Sequence, residues 1–115
     1  APPLEHVASN GVMADLYGDK LRGLGWTPTE IQKDGPASTD MGALSHAVPA
    51  IHPLVQIADF PVAWHTPEFR EAAWSDRGQE GMRIAAKAMA LTALDLLVKP
   101  GLLDAVKSEF AVLPR

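Results

Sequence analysis

The chain has 115 residues, 47% of them hydrophobic, and carries 10 Lys plus Arg against 14 Asp plus Glu, a formal net charge of −4. That length holds one domain at most. With no Lys/Arg cluster to displace counterions, and no apolar run reaching the roughly 20 residues of a membrane span, no nucleic acid and no membrane is expected as a partner.

Cysteine is absent, which removes disulfides, a thiol nucleophile and thiolate metal sites, so any metal would rest on histidine and carboxylate. The sequence opens at Ala1 without a basic and apolar leader. It therefore reads as a processed or excised piece with no secretory signal, and a cytoplasmic location is expected. Ten prolines, about twice the usual share of roughly 5%, concentrate before residue 70 and make that part loop-rich.

From Asn10 to Leu24 the apolar residues Val12, Met13, Leu16, Tyr17, Leu21 and Leu24 recur at three and four, which predicts an amphipathic helix. Ser9 or Asn10 can cap its start, and Gly23 and Gly25 can end it. Trp26 to Asp40 lacks any period and reads as a connection with at most a short turn around Glu30. Val48 to Ile57 is expected to be extended, because Pro49 and Pro53 push their preceding residues out of helical geometry, and Leu54 to Ile57 is its best strand. Asp59 to Arg70 reads as an ordered loop. Gly78 to Val98 is predicted to be a long, mostly buried helix with Arg83, Lys87, Asp95 and Lys99 on one side. Pro100 and Gly101 break it, and Leu102 to Phe110 forms a shorter second helix. One strand cannot make a sheet, and a long apolar helix needs a surface to cover. The expected architecture is thus α/β and incomplete on its own.

Four histidines, His6, His46, His52 and His65, are the metal donors to weigh. None stands in a helical His-x-x-x-His or His-Glu-x-x-His pair, and the ordinary reading of each is a surface or hydrogen-bonded loop residue. His65 differs, because Trp64 can dry its imidazole and Pro67 stiffens the backbone beyond it. Asp40, in Ser38-Thr39-Asp40-Met41-Gly42, stands where active-site loops gather, or else serves as a helix cap or turn carboxylate. Serine hydrolysis is discarded: there is no Gly-x-Ser-x-Gly elbow, and Ser45-His46 are sequence neighbours rather than a triad. Gly23-Leu24-Gly25 is a helix stop and not a phosphate cradle. The tryptophans Trp26, Trp64 and Trp74 are packing anchors first.

The blocks Ser38-Thr39-Asp40-Met41-Gly42-Ala43-Leu44-Ser45-His46, Val48-Pro49-Ala50-Ile51-His52-Pro53, His65-Thr66-Pro67-Glu68-Phe69 and the helix from Ala85 to Leu97 together resemble the C-terminal part of zinc-dependent amidohydrolases. The family is the aminoacylase and carboxypeptidase superfamily, in its aminobenzoyl-glutamate hydrolase-like branch. The resemblance implies that residues 1–115 are the C-terminal portion of a catalytic domain with a mixed sheet flanked by helices, following a lid and dimerisation domain absent here. It implies two divalent metal ions, zinc or manganese, in the complete enzyme, which polarise an amide carbonyl and activate a water. His65 matches the family's last metal ligand, and Asp40 matches an acidic position bordering the substrate cleft. The implied substrates are N-acyl amino acids, aminobenzoyl-glutamate-like compounds or small dipeptides. The implied partners are the remainder of the same polypeptide and, when intact, a second copy in a homodimer. The family's other metal ligands and its general base have no counterpart in this sequence, and a catalytic zinc needs about three protein ligands; the isolated chain is therefore expected to be inactive.

Two rivals remain open. A non-catalytic helix and strand module would bind a partner through the apolar face of Ile84 to Val98, and an independent histidine-carboxylate domain would take up zinc tightly by itself.

Overall fold

The computed structural model describes residues 6–28 and 39–114. The expected turn around Glu30 and the position of Ser38 fall outside them.

Helix α1, Gly11–Gly23, forms where the three-four spacing predicts it. Asn10 is its cap: the side-chain oxygen accepts from Met13 N at 3.1 Å, while the side-chain amide donates to Val106 O at 3.0 Å. A second free amide of the first turn, Val12 N, donates to Glu109 at 3.3 Å. Two groups ninety-odd residues away in sequence thus close an end that would otherwise stay unsatisfied. Lys20 and Arg22 occupy the last turn, where positive charge suits the carbonyl end, and the chain leaves through Gly25 at φ 87°.

Helix α2, Met41–Ala47, is a short helix between the expected connection and the expected extended segment, where the sequence names no element. Its function in the fold is carried by Ser45, which is fully buried; the hydroxyl donates to Gly42 O at 2.7 Å and accepts from Ala8 N at 2.8 Å. Segment 6–10 is fastened further by Asn10 N donating to Ala50 O at 2.9 Å, and by His46, whose ring packs edge-on against His6 at 5.0 Å.

Residues 51–58 form neither helix nor strand, with Ile51, Val55 and Ile57 half-buried and His52, Leu54 and Gln56 exposed. Here the structure corrects the α/β expectation. The described residues hold five helices and no sheet, and their sole β pairing is one isolated parallel bridge between Ser9 and Ala50. Prolines and β-branched residues bias a segment toward extended backbone, but that bias makes no ladder without a neighbouring strand.

Helix α3, Pro67–Trp74, occupies part of the expected loop and the residues after it. Ser75 then caps α4, Asp76–Val98, by accepting from Gly78 N at 3.1 Å. Helix α5, Leu102–Val112, follows the Pro100-Gly101 break and runs slightly past the predicted end.

The core lies between α1 and α4, which pack most extensively. Tyr17, Leu21 and Ala88 are its centre, with Leu24, Trp26, Ile51 and Ile84 packed around them. Small residues mark the buried face of α4: Gly81 sits against residues 55–57, Ala88 lies in the core with Tyr17 and Leu21, and the Thr92 hydroxyl donates back to Ala88 O at 2.7 Å. The expected burial of α4 is corrected as well. Its α1-facing side is covered, but Met82 is 64% exposed, Met89 61% and Leu97 83%. Asp95, expected on the solvated side, is buried between Lys20 of α1 and Lys99, at 2.5 and 2.9 Å.

Candidate functional site

His65 lies in a turn that the local sequence builds. Thr66 precedes Pro67, whose missing amide costs nothing at the first helical position, and Glu68 adds an acidic group to the first turn. The Thr66 hydroxyl accepts from Phe69 N at 3.2 Å, capping α3, and donates to Ala63 O at 2.6 Å, closing the turn that contains Trp64 and His65. Within that turn His65 has φ 61°, the sole positive φ of a non-glycine among the described residues. This region is uncommon for side chains with a Cβ, though histidine tolerates it better than most. The imidazole is exposed, as are Trp64 and Phe60. Trp64 therefore does not bury the ring as the sequence suggested.

Asp40 sits at the start of α2, also exposed. It occupies the cap position without making the cap bond; Thr39 accepts from Met41 N at 3.3 Å instead. Its carboxylate is thus not consumed in holding the helix. No hydrogen bond or ion pair joins Asp40 to His65. Nor do the described residues bring three His, Asp or Glu side chains together as a metal would require. What they offer a metal is a single outward imidazole, so the remaining donors would have to come from outside them. That arrangement speaks against an independent metal-binding domain.

His52 helps line a concavity of about 350 Å³ between α1 and residues 51–56, with Tyr17, Leu21, Trp26 and Ile51 among its walls. Burial pushes the Tyr17 hydroxyl above its ordinary pKa. Trp26 is clamped from the other side by Arg77, whose guanidinium lies 4.5 Å from the ring centroid and 3.3 Å from Asp59. These contacts make the concavity a packing feature of the α1–α4 core. No helix among the described residues is long and apolar enough to cross a membrane.

Thr66 is the residue that sequence reading passed over. Its signal was present, since Thr-Pro-Glu is a helix-start pattern, but the aromatic and proline content of residues 59–70 masked it.

Comparison with known proteins relates the chain, at a coarse level, to peptidases of the amidohydrolase kind. It is similar to the Xaa-Arg dipeptidase of Mus musculus, 38% identical over 109 residues that cover 91% of this chain and 25% of the mouse protein. The Xaa-Arg dipeptidase of Homo sapiens is 39% identical over 94 residues, covering 81% of this chain and 21% of the human protein. The chain thus spans about a quarter of the length of these curated relatives. No family model matches it, and no solved structure matches it significantly.

Proposed function

We propose that this chain is the C-terminal portion of a metal-dependent hydrolase that cleaves the amide bond of small dipeptides, with N-acyl amino acids and aminobenzoyl-glutamate-like compounds as the wider substrate class. The observation that carries the reading is the identity with two dipeptidases across nearly all of this chain and only a quarter of theirs. In this reading the chain supplies His65 as one metal ligand, through a ring nitrogen, and Asp40 to the border of the substrate cleft. The metal, zinc or manganese, would lend Lewis acidity to the amide carbonyl. The chain's own share is to present an imidazole on a stiff turn and, at the start of α2, a carboxylate that no cap bond consumes. The residue that deprotonates water and the other ligands belong to the remainder of the polypeptide, so the 115-residue chain alone does not turn over.

The exposed stripe of α4 fits the same reading, with the remainder of the polypeptide as its cover. It fits equally a non-catalytic module that binds a separate protein, but that module gives no reason for the dipeptidase identity. Replacing His65 by alanine in the longer polypeptide tests the assignment. Changes to groups that merely orient a metal ligand cost about 10–100-fold in affinity or activity, so loss of the ligand itself should cost about 100-fold or more in rate together with bound metal. Parental activity and metal content in that variant remove His65 from the site.

A further inference from the structure

We infer that Thr66 is a positioning residue for His65, its one hydroxyl fixing both the turn that carries the imidazole and the helix on which that turn is mounted. The inference rests on the reading of His65 as a metal ligand.

The geometry is specific. A hydroxyl can donate once and accept as well, and Thr66 uses both capacities: it donates to Ala63 O at 2.6 Å and accepts from Phe69 N at 3.2 Å. The first bond spans the turn from three residues upstream. The second locks the turn to α3, whose start is made rigid by Pro67. Between these two ties lies His65 at φ 61°. A side chain with a Cβ keeps such a backbone only when its surroundings over-determine it, and such positions gather at functional sites. Nothing about the core demands it here, because the His65 ring is exposed and makes no hydrogen bond with the described residues. The two Thr66 bonds fix the backbone from which the His65 side chain projects, so part of the ordering cost is already met before an ion held mostly by other segments is bound.

The test is equilibrium binding of cobalt(II) alone, followed by its visible absorption, to the longer polypeptide and its variants. Thr66→Ala should weaken cobalt affinity about 10-fold, and Thr66→Ser, which restores the hydroxyl, should return it to the parental value. Thr66→Gly is tolerated at a helix cap but has no hydroxyl to donate to Ala63 O, so it should keep α3 by far-UV circular dichroism and still bind weakly. This variant separates positioning from helix loss, even if the alanine variant fails to fold. Parental affinity in Thr66→Ala or Thr66→Gly, or no recovery in Thr66→Ser, overturns the inference. His65→Ala in parallel distinguishes the two failures: if it binds weakly while the Thr66 variants bind normally, the ligand stands and the positioning falls. If His65→Ala itself binds normally, the ligand assignment falls first.

Discussion

Asp95 shows how far one side chain can depart from the role its spacing suggests. Placed by sequence among the solvated charges of α4, it is instead buried against α1, where Lys20 and Lys99 converge on one carboxylate oxygen. The hydrogen bonds from Lys20 and then Lys99 hold its pKa below the ordinary carboxylate value, against the opposing pull of burial. A depressed pKa means that the folded state favours the ionised form more than the unfolded chain does. The cluster therefore contributes in full above the unfolded value near ~4, and its contribution is lost as pH falls through the lower folded value. Asp95→Asn should lower the urea midpoint at neutral pH, because it leaves the half-buried Lys20 without its countercharge. The gap to the parent should shrink as the pH is taken below about 4, as urea titrations across that range would show. A constant gap would mean that the carboxylate is not what holds α1 to α4. Period-based reading could not see this, because Lys20 lies 75 residues from its partner and long-range pairing leaves no local pattern. The turn at His65 is local by contrast: Thr66 and Pro67 adjoin it in sequence and build the turn and the helix start after it.

At the level of elements, local signals located what they could. The spacing and caps of α1 and the break between α4 and α5 were readable because each lies in contiguous residues. The short α2 and α3 were not, since seven or eight residues hold only two turns and give periodicity too little to repeat. The strand expected within Val48 to Ile57 did not form, because a ladder depends on a partner that spacing does not reveal. The junction of α3 and α4 offers a sharper test. A Cβ on Gly78 would collide with the carbonyl oxygens of Ala72 and Ala73, backbone atoms that cannot swing aside. In Gly18 of α1, by contrast, the nearest atoms are side-chain ends of Arg22 and Pro28 at 3.6 and 3.7 Å, ordinary contact. Alanine gains about 1 kcal/mol over glycine inside a helix, whereas overpacking costs about 1–3 kcal/mol. Gly18→Ala should therefore raise the unfolding free energy by about 0.5–1 kcal/mol, and Gly78→Ala should lower it by about 1–2 kcal/mol. Denaturant titration of the two single variants checks both signs, and an increase for Gly78→Ala would show that α3 can retreat.

The molecule as a whole is thinner and more open than its length requires. Its extents are 42 × 40 × 19 Å and its radius of gyration is 15.4 Å, against about 13 Å for a compact domain of this size. Its accessible surface is 8319 Å², where a compact monomer of the same mass exposes about 6,100 Å². The excess is not spread evenly, since Met82, Met89 and Leu97 stand at helical spacing on one side of α4, away from α1, and are all exposed. A stripe of this kind on a soluble surface marks a place to be covered, and the proposed function names the cover as the remainder of the same polypeptide. The two forms of the protein should then respond oppositely to one pair of substitutions, Met89→Lys with Leu97→Glu. In the 115-residue chain the pair changes only exposed positions, so the unfolding free energy should stay within about 0.5 kcal/mol, while self-association measured by sedimentation should fall. In the longer polypeptide the same charges would be forced under a packed surface without partners, with a loss of about 3 kcal/mol or more and a drop in soluble yield. If the longer polypeptide accepts both charges without loss, nothing covers that side of α4, and the stripe belongs to an encounter with a separate molecule instead.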